Sequence, residues 1–397
     1  MLVEALRPEV TSQEAPPQIE ELVDMAEIFA TMPIDMIGVG GAVKDSTMPH
    51  ASENPFTDIK DKLTVHSGTT LEKAVEIIMG NDDNKQAFCR IVGLSQDHEL
   101  SEDEVVYLIN EAGSEAPETT GGAVLNMAGT FSKFKRKNDR ITVVASGGDD
   151  KYLSFFRHAL KDMDVKNDIR GSKVNPKSTV FPWIADEEVG RDILTKRPKP
   201  PKFDPKALFG KNCGFASKLS EPTWAKEMGK NTDIKVMMWV PGNTIGEMAG
   251  EVIGSMKRDG SRFVVCNLDE ANTVFDDENH VDKESAVERL AEMFPGVRFV
   301  VTDGSDGASY AIKKKDGKLD KNSYKNNRKI KPPKNGTATG AGDVYSMTLL
   351  AATLYGLSIE ESMEVADFAA REVMCSPDAV VPEWKPDILT LLGQLNK

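Results

Sequence analysis

The chain has 397 residues, 40% hydrophobic and 28% charged, the balance of an ordinary globular protein with ample length for a core. Its 49 basic and 63 acidic residues leave a formal charge of −14, which disfavours nucleic acid and anionic membrane as partners but leaves room for a local basic pocket. Cys89, Cys213, Cys266 and Cys375 are scattered, with no C-x-x-C pair and no H-E-x-x-H among the histidines, so reduced thiols fit better than a disulfide frame or a zinc site.

The first 22 residues are acidic and lack the apolar stretch of a secretory signal, and no run approaches the roughly 20 apolar residues needed to span a bilayer. A cytoplasmic protein is the expectation. Residues 1–33 read as an N-terminal arm, with Pro8, Pro16 and Pro17 marking a loose arm or surface helix over 1–20. The first strand, 34–39, runs into Gly40 and Gly41. Within 46–119 the pattern supports a helix at 70–80, where Leu71, Val75 and Ile78 share a face. A second lies at 101–112, opened by Ser101 with Glu104 as a capping box.

Strands and helices then alternate. Ala123–Phe134 is helical, Ile141–Ser146 a strand, and Lys151–Lys161 a helix with Phe155, Phe156, Ala159 and Leu160 on its apolar side. Ser178–Ile184 alternates like a half-exposed strand, and Ala185–Arg191 reads as a turn before Asp192–Thr195. The segment KRPKPPKFDPK at 196–206 is an extended surface connection. Strands follow at 234–240, 262–267 and 297–302, helices at 244–258 and 284–294, and a strand pair at 308–313 and 326–331. This alternation predicts an α/β fold with a mostly parallel sheet covered on both faces.

Residues 335–356, NGTATGAGDVYSMTLLAATLYG, carry the strongest chemical signal. A glycine turn leads into a helix on which Val344, Met347, Ala351 and Leu354 share one face; the opposite face is nearly as apolar, so the helix is expected to be buried. Gly356 ends it, and Ser358 with Glu361 forms a capping box for the next. The first amides of such a helix lack partners, its dipole favours an anion, and glycines let a phosphate approach the backbone. Asp343, in the same turn, suits a base that takes a proton from an attacking hydroxyl, and equally suits a helix N-cap. Local sequence leaves those two open. The phosphate loop G-x-x-x-x-G-K-[ST] is absent, and Val43 stands where the third glycine of a dinucleotide fingerprint falls after Gly38-Val39-Gly40-Gly41, so an NAD-linked dehydrogenase is poorly supported.

T-G-A-G-D at Thr339–Asp343, in company with five further segments in order, resembles the ribokinase or phosphofructokinase B-type family of carbohydrate and nucleoside kinases over most of 34–382. The resemblance implies Asp343 as general base and Gly340, Ala341 and Gly342 as anion-hole amides. Asp45, at the end of Gly38–Asp45, falls where the family binds substrate. Gly121, Gly122 and Asn126 are similar to the glycine pair and asparagine that approach sugar hydroxyls. Gly147–Asp150 with Met163–Val165 resembles the usual continuation. Asn267 and Glu270 match N-x-x-E, tied to magnesium through ordered water, and Thr302, Gly304, Ser305 and Gly307 lie where the family borders the nucleotide. Taken singly, each has a blander reading: Asp45 as a solvated loop residue, Asn267 and Glu270 as strand-end polar groups, Thr302–Gly307 as a hairpin approach.

The family's fold would be a ribokinase-like three-layer α/β sandwich over 34–397 with a small β lid from segments near 46–65 and 178–195. Val180, Trp183 and Ile184 could cover a ligand, meet a second copy, or simply pack. ATP and Mg2+ are the implied cofactors. Monovalent-cation dependence is open, because Thr337 stands where many members carry an aspartate. The implied partners are ATP and a sugar or nucleoside, with monomer and lid-mediated homodimer both open. The 75 residues between Asp45 and Gly121 are similar in length to an adenosine-kinase-like insertion, and Gly93–Leu100 faintly resembles that branch. The competing class is a catalytically silent sugar- or nucleotide-binding protein of the same fold.

Overall fold

The computed structural model describes residues 18–47, 69–91, 94–112, 118–147, 150–171, 177–185, 188–195, 199–219, 221–275, 280–325 and 339–374. Helix α1 (Met25–Thr31) is capped by Asp24, which accepts from the Glu27 amide at 3.2 Å. It buries Met25 and Phe29, so the described part of the segment read as an arm joins the core. Strand β1 (Asp35–Gly41) follows, then β2 (Val43–Thr47), β3 (Thr69–Thr70), α2 (Leu71–Met79), α3 (Asp82–Ile91), α4 (Glu102–Ala112) and β4 (Glu118–Gly121). Val75 and Ile78 of α2 are buried, as their spacing predicts. At α4 only half of the expected box forms: Ser101 accepts from the Glu104 amide at 3.2 Å, while the Glu104 carboxylate pairs with His98 Nε2 at 2.8 Å.

The next elements are α5 (Ala123–Phe134), β5 (Arg140–Ser146), α6 (Asp150–Asp162), β6 (Lys166–Arg170), β7 (Lys177–Ala185) and β8 (Glu188–Thr195). After them come β9 (Cys213–Ser217), α7 (Thr223–Lys230), β10 (Val236–Val240), α8 (Ile245–Ser255), β11 (Arg262–Asn267) and α9 (Leu268–Asn272). The described chain ends with α10 (Lys283–Met293), β12 (Arg298–Thr302), β13 (Ala308–Lys313), β14 (Leu319–Tyr324), α11 (Ala341–Leu354) and α12 (Ile359–Met374).

Nine strands form the main sheet in the order β14-β13-β12-β11-β10-β9-β1-β5-β6. Every pairing from β6 to β12 is parallel; β13 and β14 add an antiparallel edge. The apolar run Val236–Val240 is buried at every residue, as a central strand covered on both faces must be. One face packs against α1, α5, α6, α11 and α12, through residues such as Phe131, Phe156, Met347 and Val365; the other packs against α7, α8 and α10, through Trp224, Ile253 and Leu290. These layers are the expected α/β sandwich. A second, five-stranded sheet runs β3-β8-β7-β2-β4, with β7 and β8 paired antiparallel within the segment expected to form a lid. Of the other expected lid segment, 46–65, the first two residues end β2 and 48–65 lies outside the described residues.

Two local expectations change. Glu188–Arg191 continues β8 instead of turning, because β8 is one arm of a hairpin whose pairing with β7 satisfies its backbone. The strand partnering β13 is Leu319–Tyr324; the expected 326–331 lies outside the described residues. Its sequence LDKNSY is polar because it is an edge strand, where charge discourages further pairing. Helix α11, by contrast, is buried from Asp343 to Leu354, and Gly356 terminates it with φ of 96° while Leu357 N donates to Ala352 O at 3.1 Å. The reciprocal Ser358–Glu361 box opens α12 at 3.2 and 2.9 Å.

Cys89, Cys213 and Cys266 are free and buried, while Cys375 lies outside the described residues. Burial raises the Cys213 thiol to about 12, against a small opposing effect of the Gly214 backbone. Among the described residues no helix is long and apolar enough to cross a membrane.

Candidate active site

Because β1, β5, β9, β10, β11 and β12 are parallel, their C-terminal tips lie along one edge of the sheet, where open α/β folds bind ligands. Two of the helix N-termini at this edge meet at one carboxylate. The first belongs to α5, whose N-cap Gly122 has φ of 90°; a Cβ there would stand 2.4 Å from the Gly41 carbonyl oxygen. Only glycine lets the chain pass the end of β1 so closely. One turn on, Asn126 is 6% exposed.

The second is α11. Its N-cap is Gly340, left-handed at φ of 82°, so Ala341, Gly342 and Asp343 occupy the first three helical positions. Their amides have no carbonyl four residues back within the helix. Gly342 is exposed, and nothing stands within 4 Å of where its Cβ would be, so the turn opens outward. Asp343 is therefore not the N-cap. It is 4% exposed, and its Oδ2 accepts from Asn126 Nδ2 at 2.9 Å. Its Oδ1 lies 3.7 Å from the Lys218 ammonium. Residues 217 apart in sequence thus meet at a buried carboxylate.

Lys218 was not anticipated. It follows the tip of β9 with φ of 44°, one of two described non-glycine residues at positive φ. The signal in the sequence would have been a basic residue at the end of a parallel strand, but β9 itself, CGFAS, is too short and glycine-broken to stand out.

Gly121 pairs with Val43, and Asp45 sits in β2 with its backbone opposite Thr119 and Ser178. The Asp45 side chain lies outside the described residues, as does Thr337. Asn267 and Glu270 form a reciprocal capping box on α9: Asn267 Oδ1 accepts from the Glu270 amide at 2.7 Å, and Glu270 Oε2 accepts from the Asn267 amide at 3.1 Å. At the tip of β12, Thr302 Oγ1 approaches the Cys266 carbonyl at 3.5 Å. Gly304, Ser305 and Gly307 then shape the turn into β13, closed by Asp303 N donating to Gly307 O at 2.8 Å, with Gly304 and Ser305 exposed. Burial raises the Asp303 carboxyl, opposed by Lys283 at 3.9 Å.

No group of three or more His, Cys, Asp or Glu residues converges on a possible metal position among the described residues. Asn267 and Glu270 offer oxygen donors, which suit Mg2+, a cation that keeps several waters and takes few protein carboxylates alongside substrate phosphates.

The model of the pfkB family carbohydrate kinases matches residues 92–386. No match was found among curated proteins. Among solved structures, a probable sugar kinase from Rhizobium etli CFN 42 has 15% identity and a TM-score of 0.63, covering 92% of this chain and 99% of that one. Adenosine kinase from Anopheles gambiae, in complex with P1,P4-di(adenosine-5) tetraphosphate, has 15% identity and a TM-score of 0.60 over 87% of this chain and 96% of its own. Arabidopsis thaliana ribokinase, complexed with ribose and ATP, has 16% identity and a TM-score of 0.56 over 92% and 100%. These likenesses carry the fold, and the family match covers most of the chain. The chain belongs to the pfkB family of carbohydrate kinases.

Proposed function

We propose that the protein transfers the γ-phosphoryl group of ATP to a hydroxyl of a sugar or nucleoside, with Asp343 as general base. The observation that carries this reading is the buried Asp343 carboxylate in the first turn of a helix capped by left-handed Gly340, gripped from the opposite helix by Asn126. A carboxylate within one turn of free amides can accept a proton beside a bound phosphoryl group. The amides of Ala341 and Gly342 hold that group. The acceptor O–H bond breaks toward Asp343, the oxygen bonds to phosphorus, and the bond to the bridging oxygen breaks to release ADP.

Asp45, Gly121, Gly122 and Asn126 are the residues assigned to the acceptor, and Thr302, Gly304, Ser305 and Gly307 those assigned to the nucleotide. Mg2+, when bound, neutralises phosphate charge. Asn267 and Glu270 would hold it through water, their capping box fixing the carboxylate near the strand tips. The five-stranded sheet would close over the acceptor and exclude water.

Coupled measurement of ADP release with magnesium, across ribose, fructose, other sugars and nucleosides, tests the reading. Turnover on one class names the acceptor. Binding by calorimetry with no turnover on any would replace the kinase by a silent binding protein. Asp343→Asn is expected to keep ATP affinity within about threefold while kcat falls at least about 100-fold; undiminished kcat removes Asp343 from the chemistry.

A further inference from the structure

Lys218 occupies a place where backbone and side chain pull in different directions. Its φ of 44° is left-handed, a conformation that glycine adopts freely and lysine does not. The backbone is nevertheless fixed there, Lys218 N donating to Val240 O at 2.8 Å so that the tips of β9 and β10 stay joined. Gly242, itself at φ of 63°, lies against the lysine stem: a Cβ on it would stand 3.0 Å from Lys218 Cγ. The groove thus left directs the ammonium to 3.7 Å from Asp343 Oδ1, on the carboxylate oxygen opposite the one held by Asn126. Residues kept in strained conformations gather where function needs them.

The charge balance of the site also asks for a cation at this point. A carboxylate and an anion-binding helix terminus share one turn, so any polyphosphate held by the 341–342 amides stands beside a like charge. We propose that Lys218 is a positioning residue of the phosphoryl transfer, orienting the Asp343 carboxylate and supplying the fixed positive charge that allows carboxylate and phosphate to be neighbours. This rests on Asp343 being the base. Lys218 takes no part in the bond-breaking: the acceptor proton goes to Asp343, and the electron pair of the broken P–O bond leaves with ADP.

The Lys218→Gly variant separates this role from a plain surface ion pair, which contributes little. Glycine relieves the backbone, so the melting temperature should equal or exceed that of wild type. We expect kcat to fall about 100-fold, comparable to losing one transition-state donor, with KM for the acceptor within about threefold. Lys218→Arg, and ethylammonium added to the glycine variant, should each restore at least about a tenth of the lost rate. Lys218→Asn, which also tolerates left-handed backbone, replaces the glycine variant if that one fails to fold. A neutral variant with kcat within about threefold of wild type overturns the proposal, as does a loss confined to KM, or one that neither arginine nor the amine repairs. A wild-type chain that phosphorylates no acceptor instead overturns the kinase reading, and this role with it.

Discussion

Asp139 shows how one carboxylate can anchor a whole end of the molecule. It is 3% exposed and accepts from Ile34 N at 2.9 Å, Arg136 N at 3.0 Å, Arg136 Nε at 3.1 Å, Arg136 Nη2 at 3.2 Å and Tyr355 Oη at 3.0 Å. It therefore ties the start of β1 to the entry of β5 and the end of α11. Burial alone would raise its pKa, but the bonds from Arg136 and Ile34 outweigh burial and leave it below the usual carboxylate range. A folded pKa below the unfolded one stabilises above about pH 4 and loses that contribution as pH falls through the folded value. Asp139→Asn should cost about 3 kcal/mol at pH 7, and the gap to wild type in urea melts should narrow toward pH 3. A gap that stays constant with pH would mean that the carboxylate's charge is not what matters. Asn126 makes the parallel case in the site. Asn126→Ala leaves the helix intact but frees the Asp343 carboxylate, so kcat should drop about 10–100-fold with little change in melting temperature.

Among the elements, those with strong periodicity or special turn chemistry could be read before any coordinates. Helix α5 has the predicted bounds, and α11 is buried all round as its two apolar faces require. Among those that escaped were β9, α3 and α7, all short, the first containing Gly214 and the last Gly229. Their existence depends on neighbours contributed from far along the chain, which no local window contains. Arg262 is the sharpest example. At the start of β11 a strand pattern suggests an exposed charge, yet the residue is wholly buried, donating to carbonyls of Gly229, Asn231, Ile234 and Lys235 at 2.8–3.2 Å. Burial lowers its pKa to about 10, with Asp259 opposing. It closes the α7–β10 connection as a set of backbone amides would elsewhere. Arg262→Met leaves those acceptors unpaired and should destabilise by about 3–5 kcal/mol in chemical denaturation. In the site, the turn at Gly340–Asp343 was legible from glycine spacing. The placing of Asp343 against Asn126 and Lys218 was not, because those residues arrive from a helix and a strand end far along the chain. Gly122→Ala tests the closest approach: its Cβ would meet the Gly41 oxygen at 2.4 Å at a positive φ, giving a loss of about 3 kcal/mol readable by calorimetry.

Across the whole molecule, the governing feature is the position of β1 inside the sheet, between β5 and β9. Ile37 pairs with Thr142 on one side and Gly214 on the other, so the first strand formed is completed only by strands made much later. Parallel pairings over such separations are slow to form. The helix that carries Asp343 then covers the face that α5 and β1 leave open, and with α12 it buries Met347, Leu350, Val365 and Ala366. A chain ending at residue 338 should consequently bind a hydrophobic dye and fail to melt cooperatively.

The meeting of Asn126 and Asp343 across 217 residues has a consequence for the chain as it is made. Synthesis proceeds from the N-terminus at about 5–20 residues per second, so Asn126 emerges many seconds before Asp343 does. A nascent chain can fold much of its sheet and still lack the carboxylate proposed as the base. With Asp343 as the proposed base, competence for phosphoryl transfer arrives only with the last two described helices.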